Sequence, residues 1–290
     1  MTGDQTTSGA QTPTVTESTS TEAETTGPEE TEAVTAEQPL TLLLIGIDAD
    51  SGSQRADVIM LVRIDEEREH LTAMSIPRDL WVEIPGQGEA KINAAYAYGG
   101  AELLKETVNG LYDSSIDHTL VVDFEAFSEL STILGPITVE TADGPVSLEG
   151  DEALSFVRER MSLPGGDFDR VRRQQAFLAG TSAALQGATP AQLQELAQLA
   201  GEYIEADGSQ GLNSQALLLN LVADVAGTEQ TFFTAPHAGT GWSGDGQSIV
   251  LVDAEATDGL ASAYESDSVS DWIEEADPIT LDSGSSRSRV

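Results

Sequence analysis

Lys and Arg make up only 13 of the 290 residues, against 50 Asp and Glu, yet five arginines crowd one short segment. They are Arg158, Arg160, Arg170, Arg172 and Arg173, in FVRERMSLPGGDFDRVRRQQ. Arg55 and Arg78 stand beside Asp57 and Asp79 in turn-like segments next to apolar runs. A chain with a formal charge of -37 gains no solubility from such a cluster. Guanidinium is the side chain best suited to bidentate recognition of phosphate oxygens, so the pattern points to a phosphate or pyrophosphate site.

The acids nearby have a matching use. Asp48 ends an apolar run, and Arg55-Ala56-Asp57 leads into the next one. Carboxylates at the ends of neighbouring strands can share one Mg²⁺ and leave positions for pyrophosphate oxygens and water. The plainer alternative is a turn cap at Asp48 and a surface ion pair between Arg55 and Asp57. Pro77 stiffens Ser75-Ile76-Pro77-Arg78-Asp79, so Arg78 projects from a loop with little entropy to lose. If the chain is extended at Arg158-Glu159-Arg160, both guanidiniums face one side and Glu159 the other. Gly165-Gly166-Asp167 then turns into a helix with Arg170 in its first turn, where an anion is favoured. Arg170 and Gln174 lie one turn apart on one face of that helix. The alternative for these arginines is pairing with the abundant acids on a solvated surface.

Composition excludes several other classes. There is no cysteine, so disulfides and thiolate metal sites are absent. His70, His118 and His237 form no ligand-spaced pair, which leaves only a hard, carboxylate-bound cation such as Mg²⁺. The charge argues against nucleic acid and against adhesion to anionic lipid. No Gly-rich phosphate loop with its lysine and no G-x-S-x-G elbow occurs, which argues against a P-loop kinase and a serine hydrolase. The longest apolar run, Leu40 to Ile47, falls well short of the roughly 20 residues that span a bilayer, and no signal peptide is readable after Met1.

The elements that must position these residues follow from hydrophobic pattern. Residues 1–38 contain eight acids, no base and almost no large apolar side chain, and read as a disordered linker. Residues 39–265 read as one folded unit, and 266–290 as an acidic, mostly disordered tail with a docking turn near Trp272 and Ile273. Strands are expected at 40–47, 58–64, 71–75, 80–84, 119–124, 137–140, 231–234 and 248–252. Helices are expected near 103–111 (after Gly99-Gly100), 125–134, 150–158 and 170–185, after Thr189-Pro190, and at 213–225. This alternation favours an α/β fold with a mixed sheet covered by helices on both faces. Tyr96, Tyr98, Phe124 and Phe127 read as core.

The motif order LLLIGID, RADVIMLVRID, MSIPRDLWVEIPG, KINAAYAYGG, EALSFVRER, GGDFDRVRRQQ resembles that of the LytR-CpsA-Psr family of bacterial cell-wall enzymes. The resemblance runs from Leu40 to about Gly180, with a weaker echo to residue 264. It implies an α/β/α sandwich with a central mixed sheet, a hydrophobic tunnel for a polyprenyl chain and an arginine-lined mouth. It implies a Mg²⁺-dependent phosphotransferase that moves a glycopolymer from a polyprenyl-pyrophosphate carrier to peptidoglycan through a phosphodiester bond. By the same resemblance Asp48 and Asp57 are the Mg²⁺-associated carboxylates. Arg55, Arg78, Arg158 and Arg160 hold the pyrophosphate, with Arg78 and Arg160 catalytic alongside the two aspartates. Arg170 and Gln174 complete the pocket, and Asp167 orients the arginines.

Further implications are an extracytoplasmic, envelope location, membrane contact through the lipid substrate, and a membrane anchor N-terminal to the domain. The chain departs from the family pattern where Asp50 replaces a frequent arginine and where Val139 to Leu148 is short. Two other functions fit the same residues: a non-catalytic polyprenyl-phosphate-binding scaffold, and a polyprenyl pyrophosphatase.

Overall fold

The computed structural model describes residues 38–48, 55–141, 144–207, 214–225 and 228–281, all within one unit, Ala36–Val290. The readings of the N-terminal linker and of Asp50 lie outside the described residues. The central strand is β1 (Leu40–Ile47), whose apolar run is covered on both faces. Antiparallel to it lies β2 (Ala56–Ile64), in the register Leu40↔Ile64 to Gly46↔Val58. A tight turn leads from β2 to β3 (His70–Ser75). In that turn the Asp65 carboxylate accepts the Glu69 and His70 amides at 2.8 and 3.0 Å, and Arg68 sits in the left-handed region at φ 59°.

On the other side of β1, β6 (His118–Asp123) runs parallel, and β9 (Ile204–Ala206) closes that edge. Parallel to β3 lies β10 (Glu229–Thr234), giving the order β10-β3-β2-β1-β6-β9. Thus β1, β3, β6 and β10 all point one way. Three two-stranded hairpins stand apart from this sheet. They are β4 (Trp81–Ile84) with β5 (Gly88–Lys91), β7 (Ile137–Thr141) with β8 (Gly144–Leu148), and β11 (His237–Trp242) with β12 (Ser248–Val252). Hydrophobic pattern alone did not reveal β5, β8, β9 and β11, which are short or rich in glycine and polar residues.

Helices cover both faces, as expected of an α/β/α sandwich. On one face lie α1 (Asn93–Tyr112), α7 (Ala254–Glu265) and α8 (Val269–Ala276), forming one continuous core around Leu43, Ile45, Leu61, Met74 and Phe233. Gly99-Gly100 does not precede α1 but kinks it, with Gly100 at φ 67° and ψ -157°. On the other face lie α2 (Glu125–Leu134), α3 (Asp151–Arg158), α4 (Asp167–Gln186), α5 (Pro190–Tyr203) and α6 (Ser214–Val225). At the start of α5, Thr189 and Gln192 form a capping box that spans Pro190 at the first helical position.

The tail reading needs correction over 266–281. Trp272 of α8 packs against Phe233 with ring centroids 6.2 Å apart. Beyond it the chain pairs with the outer edge of β10, through Thr234 N–H to Ile279 O at 3.0 Å and Leu281 N–H to Phe232 O at 2.8 Å. Acidic composition hid this segment, because only a few apolar side chains in it carry the docking. Among the described residues, no helix is long and apolar enough to cross a membrane.

Candidate active site at the carboxyl edge of the sheet

The strand directions put one end of the sheet at the chain's disposal. Asp48 leaves β1 there, Arg78 follows β3, and Asp57 enters β2 beside them. Ligands of open α/β sheets bind outside this carboxyl edge. A β-bulge sharpens the placement: Gly46 pairs with Val58 but Ile47 pairs with Ala56, so Asp57 is the extra, unpaired residue of β2. Bulges re-aim a side chain in this way. Gly46 is required at this point, since a Cβ would lie 2.8 Å from Val58 Cβ and 2.9 Å from Phe124 Cε1.

Arg78 is anchored through its backbone, with Ile76 N–H on Ile59 O at 2.8 Å and Asn93 N–H on Arg78 O at 3.2 Å. Its guanidinium forms a close ion pair with Asp57. Its Nε lies 3.2 Å from Asp167 Oδ1, and the same oxygen lies 2.7 Å from Arg170 Nη2. Arg158 Nη2 meets Asp48 Oδ1 at 2.9 Å, and its guanidinium stands over the Phe124 ring at 5.6 Å. Arg170 is buried, and burial draws its pKa downward against the opposing pull of Asp167; the neighbouring Arg78 lowers it further. The buried Nε atoms of Arg78, Arg158 and Arg170 have no well-aligned hydrogen bond among the described residues, even where a carboxylate is within ion-pair distance. Each guanidinium carries five N–H donors, more than these carboxylates accept, so the cluster has donors left for an anion.

The structure brings together Asp48, Asp57, Arg78, Arg158, Asp167 and Arg170, and refines the reading at Arg158, Arg160, Gln174 and Arg55. Arg158 is the last residue of α3 and not part of an extended run; the residue that follows, Glu159, is extended, at φ -60° and ψ 131°. Arg160 follows it on the exposed rim, close enough to Arg170 for repulsion between the two guanidiniums. Gln174 does not face the mouth: its buried amide donates to Val157 O at 3.2 Å and ties α4 to the last turn of α3. Arg55 is exposed at the start of β2.

Several supporting residues escaped the sequence reading. Gln175 is buried and donates to Ser75 Oγ at 3.0 Å and Phe233 O at 2.9 Å, locking α4 to the ends of β3 and β10. The signal was available, since Gln175 directly precedes the apolar residues Ala176 and Phe177 of the buried face. Asp169, also buried, accepts Gly165 N–H at 2.7 Å and Arg172 Nη1 at 3.1 Å. It thereby shapes the loop that carries Arg160, and a Cβ at Gly165 would come within 2.5 Å of its carboxylate. Arg173 stacks over Phe156 at 4.6 Å. His237, stacked on Phe168 at 5.0 Å, has its pKa lowered by burial, with Asp253 opposing.

The donor set suits a hard divalent cation: Asp48 and Asp57 offer carboxylate oxygens at one strand end, and Mg²⁺ commonly takes one or two carboxylates together with substrate phosphates. Among the described residues, no group of three or more His, Asp or Glu is placed to hold a metal by itself.

Comparison with known proteins supplies the family. The sequence model of the LytR_cpsA_psr family matches residues 5–257. The chain is 34% identical over 160 residues to a protein of Halalkalibacterium halodurans named polyisoprenyl-teichoic acid–peptidoglycan teichoic acid transferase TagU, covering 50% of this chain and 53% of that one. An Enterococcus faecalis protein of the same name is 33% identical over 159 residues, covering 49% and 52%. The chain thus spans about half the length of the curated relatives it matches. Among solved structures, TagT bound to LIIa-WTA superposes with a TM-score of 0.66 at 22% identity, covering 80% of this chain and 91% of that one. Bacillus subtilis TagV does so with a TM-score of 0.64 at 24% identity, covering 80% and 98%. These likenesses show the fold, and the match of the family model over most of the length shows that the chain belongs to the LytR-CpsA-Psr family.

Proposed function

We propose that the chain is a phosphotransferase that moves a glycopolymer from a polyprenyl-pyrophosphate carrier to a hydroxyl of peptidoglycan, with Mg²⁺ at Asp48 and Asp57. The observation that carries this reading is the convergence of Arg78, Arg158 and Arg170, from three separate elements, on Asp57, Asp48 and Asp167 at one sheet edge. The curated relatives, named as transferases of teichoic acid from a polyisoprenyl carrier to peptidoglycan, support the substrate class.

The two faces of the sheet differ in a way that suits a lipid tail. Side chains on the face of Leu43 and Ile45 belong to one continuous core. Those on the face of Leu42 and Leu44 fall into three separate clusters, around Phe127, around Met60 and around Val122. Leu44, at the middle of the central strand, touches all three and is only partly buried, as is Val62 of β2. Interiors pack without voids unless something fills them, so a break at the centre of this face favours an apolar channel there. It would open toward the arginines, past Phe124 and Val58.

In the reaction the arginines hold the diphosphate and offset charge that builds on its oxygens, which is the main demand of phosphoryl transfer. The acceptor hydroxyl oxygen bonds to the sugar-linked phosphorus, the bridging P–O bond breaks, and polyprenyl phosphate leaves with that electron pair. One of the two aspartates takes the hydroxyl proton at a carboxylate oxygen. Asp48 and Asp57 would hold Mg²⁺, which when bound would supply charge neutralisation. Phe124 and the stacked Arg158 shield the phosphate from bulk water on one side. The partners are then the lipid-linked glycopolymer and peptidoglycan, and the place of action is the outer side of the plasma membrane.

Arg78→Ala and Arg160→Ala are each expected to lower transfer by about 10²-fold or more, as loss of an oxyanion donor does. Unchanged transfer in both would overturn the assignment. Asp57→Asn should abolish transfer yet leave prenyl phosphate bound on mass spectrometry of copurified lipid. Retained function would favour a scaffold, and phosphate release without peptidoglycan a pyrophosphatase.

A further inference from the structure

The pairing pattern within the site has a consequence for the order in which it fills. Asp57 is held by Arg78, and Asp48 by Arg158. Both carboxylates expected to bind a cation are therefore already matched to guanidiniums, in surroundings where the four side chains are 16 to 33% exposed. Arg78, Arg158, Arg160 and Arg170 set four positive charges against the three of Asp48, Asp57 and Asp167. A divalent cation entering alone would have to break a partly desolvated ion pair, leaving a guanidinium uncompensated. An anion meets the opposite situation. Arg78 reaches Asp167 as well as Asp57, so it can turn from Asp57 toward a phosphate without losing every carboxylate partner.

We propose that Arg78 gates the cation site: diphosphate draws its guanidinium off Asp57, and only then does Asp57 become a metal ligand. This rests on the diphosphate reading of the site. Arg78 thus has two duties, as phosphate holder and as the counter-ion that keeps Asp57 from taking a metal while the site is empty. Coupling of this kind is reciprocal, so the cation tightens diphosphate binding by the same factor that diphosphate tightens the cation's.

The test counts Mn²⁺, standing in for Mg²⁺, retained with the full 290-residue chain on ultrafiltration at about 0.15 M salt. Specific uptake is the part lost in Asp57→Asn, so that the many surface carboxylates cancel. With Mn²⁺ alone, wild type should show little specific uptake, and inorganic pyrophosphate should increase it at least about tenfold, within the usual range of site coupling. Arg78→Gln should take up Mn²⁺ without pyrophosphate at least about tenfold more tightly than wild type. Arg160→Gln removes the same charge but leaves the Asp57–Arg78 pair, and should gain far less. Equal gains in the two variants would reduce the effect to net charge and overturn the gate. So would specific uptake by wild type that is the same with and without pyrophosphate, a result that needs neither arginine variant and only the Asp57→Asn reference. Calorimetry of pyrophosphate binding to wild type in excess chelator separates the premise from the gate: binding upholds the diphosphate reading, and none overturns it, whatever the Mn²⁺ arms show.

Discussion

A lysine at position 78 would keep the positive charge but not the fork that meets Asp57 through Nη1 and Asp167 through Nε. One charge-assisted hydrogen bond contributes about 1.5–3 kcal/mol, so Arg78→Lys is expected to lower transfer about tenfold to a hundredfold. The thermal midpoint should move little, and a transfer assay beside a melting curve checks both. His237 makes a different prediction. Burial favours its neutral form, so the folded pKa lies below the ordinary value of 6.5. Its contribution to stability is then whole above about 6.5 and is lost as pH falls through the folded value, because the unfolded chain takes the proton first. Melting curves from pH 8 to about pH 5 should fall more steeply for wild type than for His237→Gln. Side chains were the most legible scale in the sequence. Asp48, Asp57, Arg78, Arg158, Asp167 and Arg170 do gather, because Arg is rare enough here for its clustering to carry information. Gln174 misled, since shared helical facing with Arg170 cannot tell a mouth from a seam between helices.

Among the elements, α4 carries Asp167 and Arg170 and is fixed from three sides. Gln175 joins it to β3 and β10, Gln174 to α3, and its middle lies against the β7–β8 hairpin. At that last contact a Cβ on Gly180 would stand 2.3 Å from the Thr138 carbonyl oxygen, a clash with backbone that cannot rotate away. Gly180→Ala is expected to destabilise by about 1–3 kcal/mol, the ordinary cost of overpacking, and to shift α4 outward. Denaturant unfolding measures the first, and weaker pyrophosphate binding reports the second. The long apolar strands and most helices were readable from periodicity, with β1 and α2 as expected to the residue. What was not readable needed partners outside the element: β9 exists because β6 offers it an edge, and the bulge at Asp57 exists only in the register with β1.

For the molecule as a whole, the segment after Glu265 holds the fold together where its composition suggested a loose end. Arg63, buried in β2, pairs with Asp267 at 2.7 Å, donates to Thr41 Oγ1 at 2.9 Å and stacks over Tyr264 at 5.6 Å. Asp267→Asn should cost about 2 kcal/mol, below the 3–5 typical of a broken buried pair because Asp267 is partly exposed, and thermal unfolding would register it. A domain cut at residue 265 would lose that pair, the Trp272 contact and the strand-like cover of residues 279–281 over β10. The outer row of β10 amides and carbonyls would then lie bare beside Phe232 and Phe233, a ready template for another chain. Such a shortened protein should elute as multimers on size exclusion while the 290-residue chain stays monodisperse. The short run Ile279-Thr280-Leu281 over that edge thus acts as a stopper, keeping neighbouring molecules from zipping together.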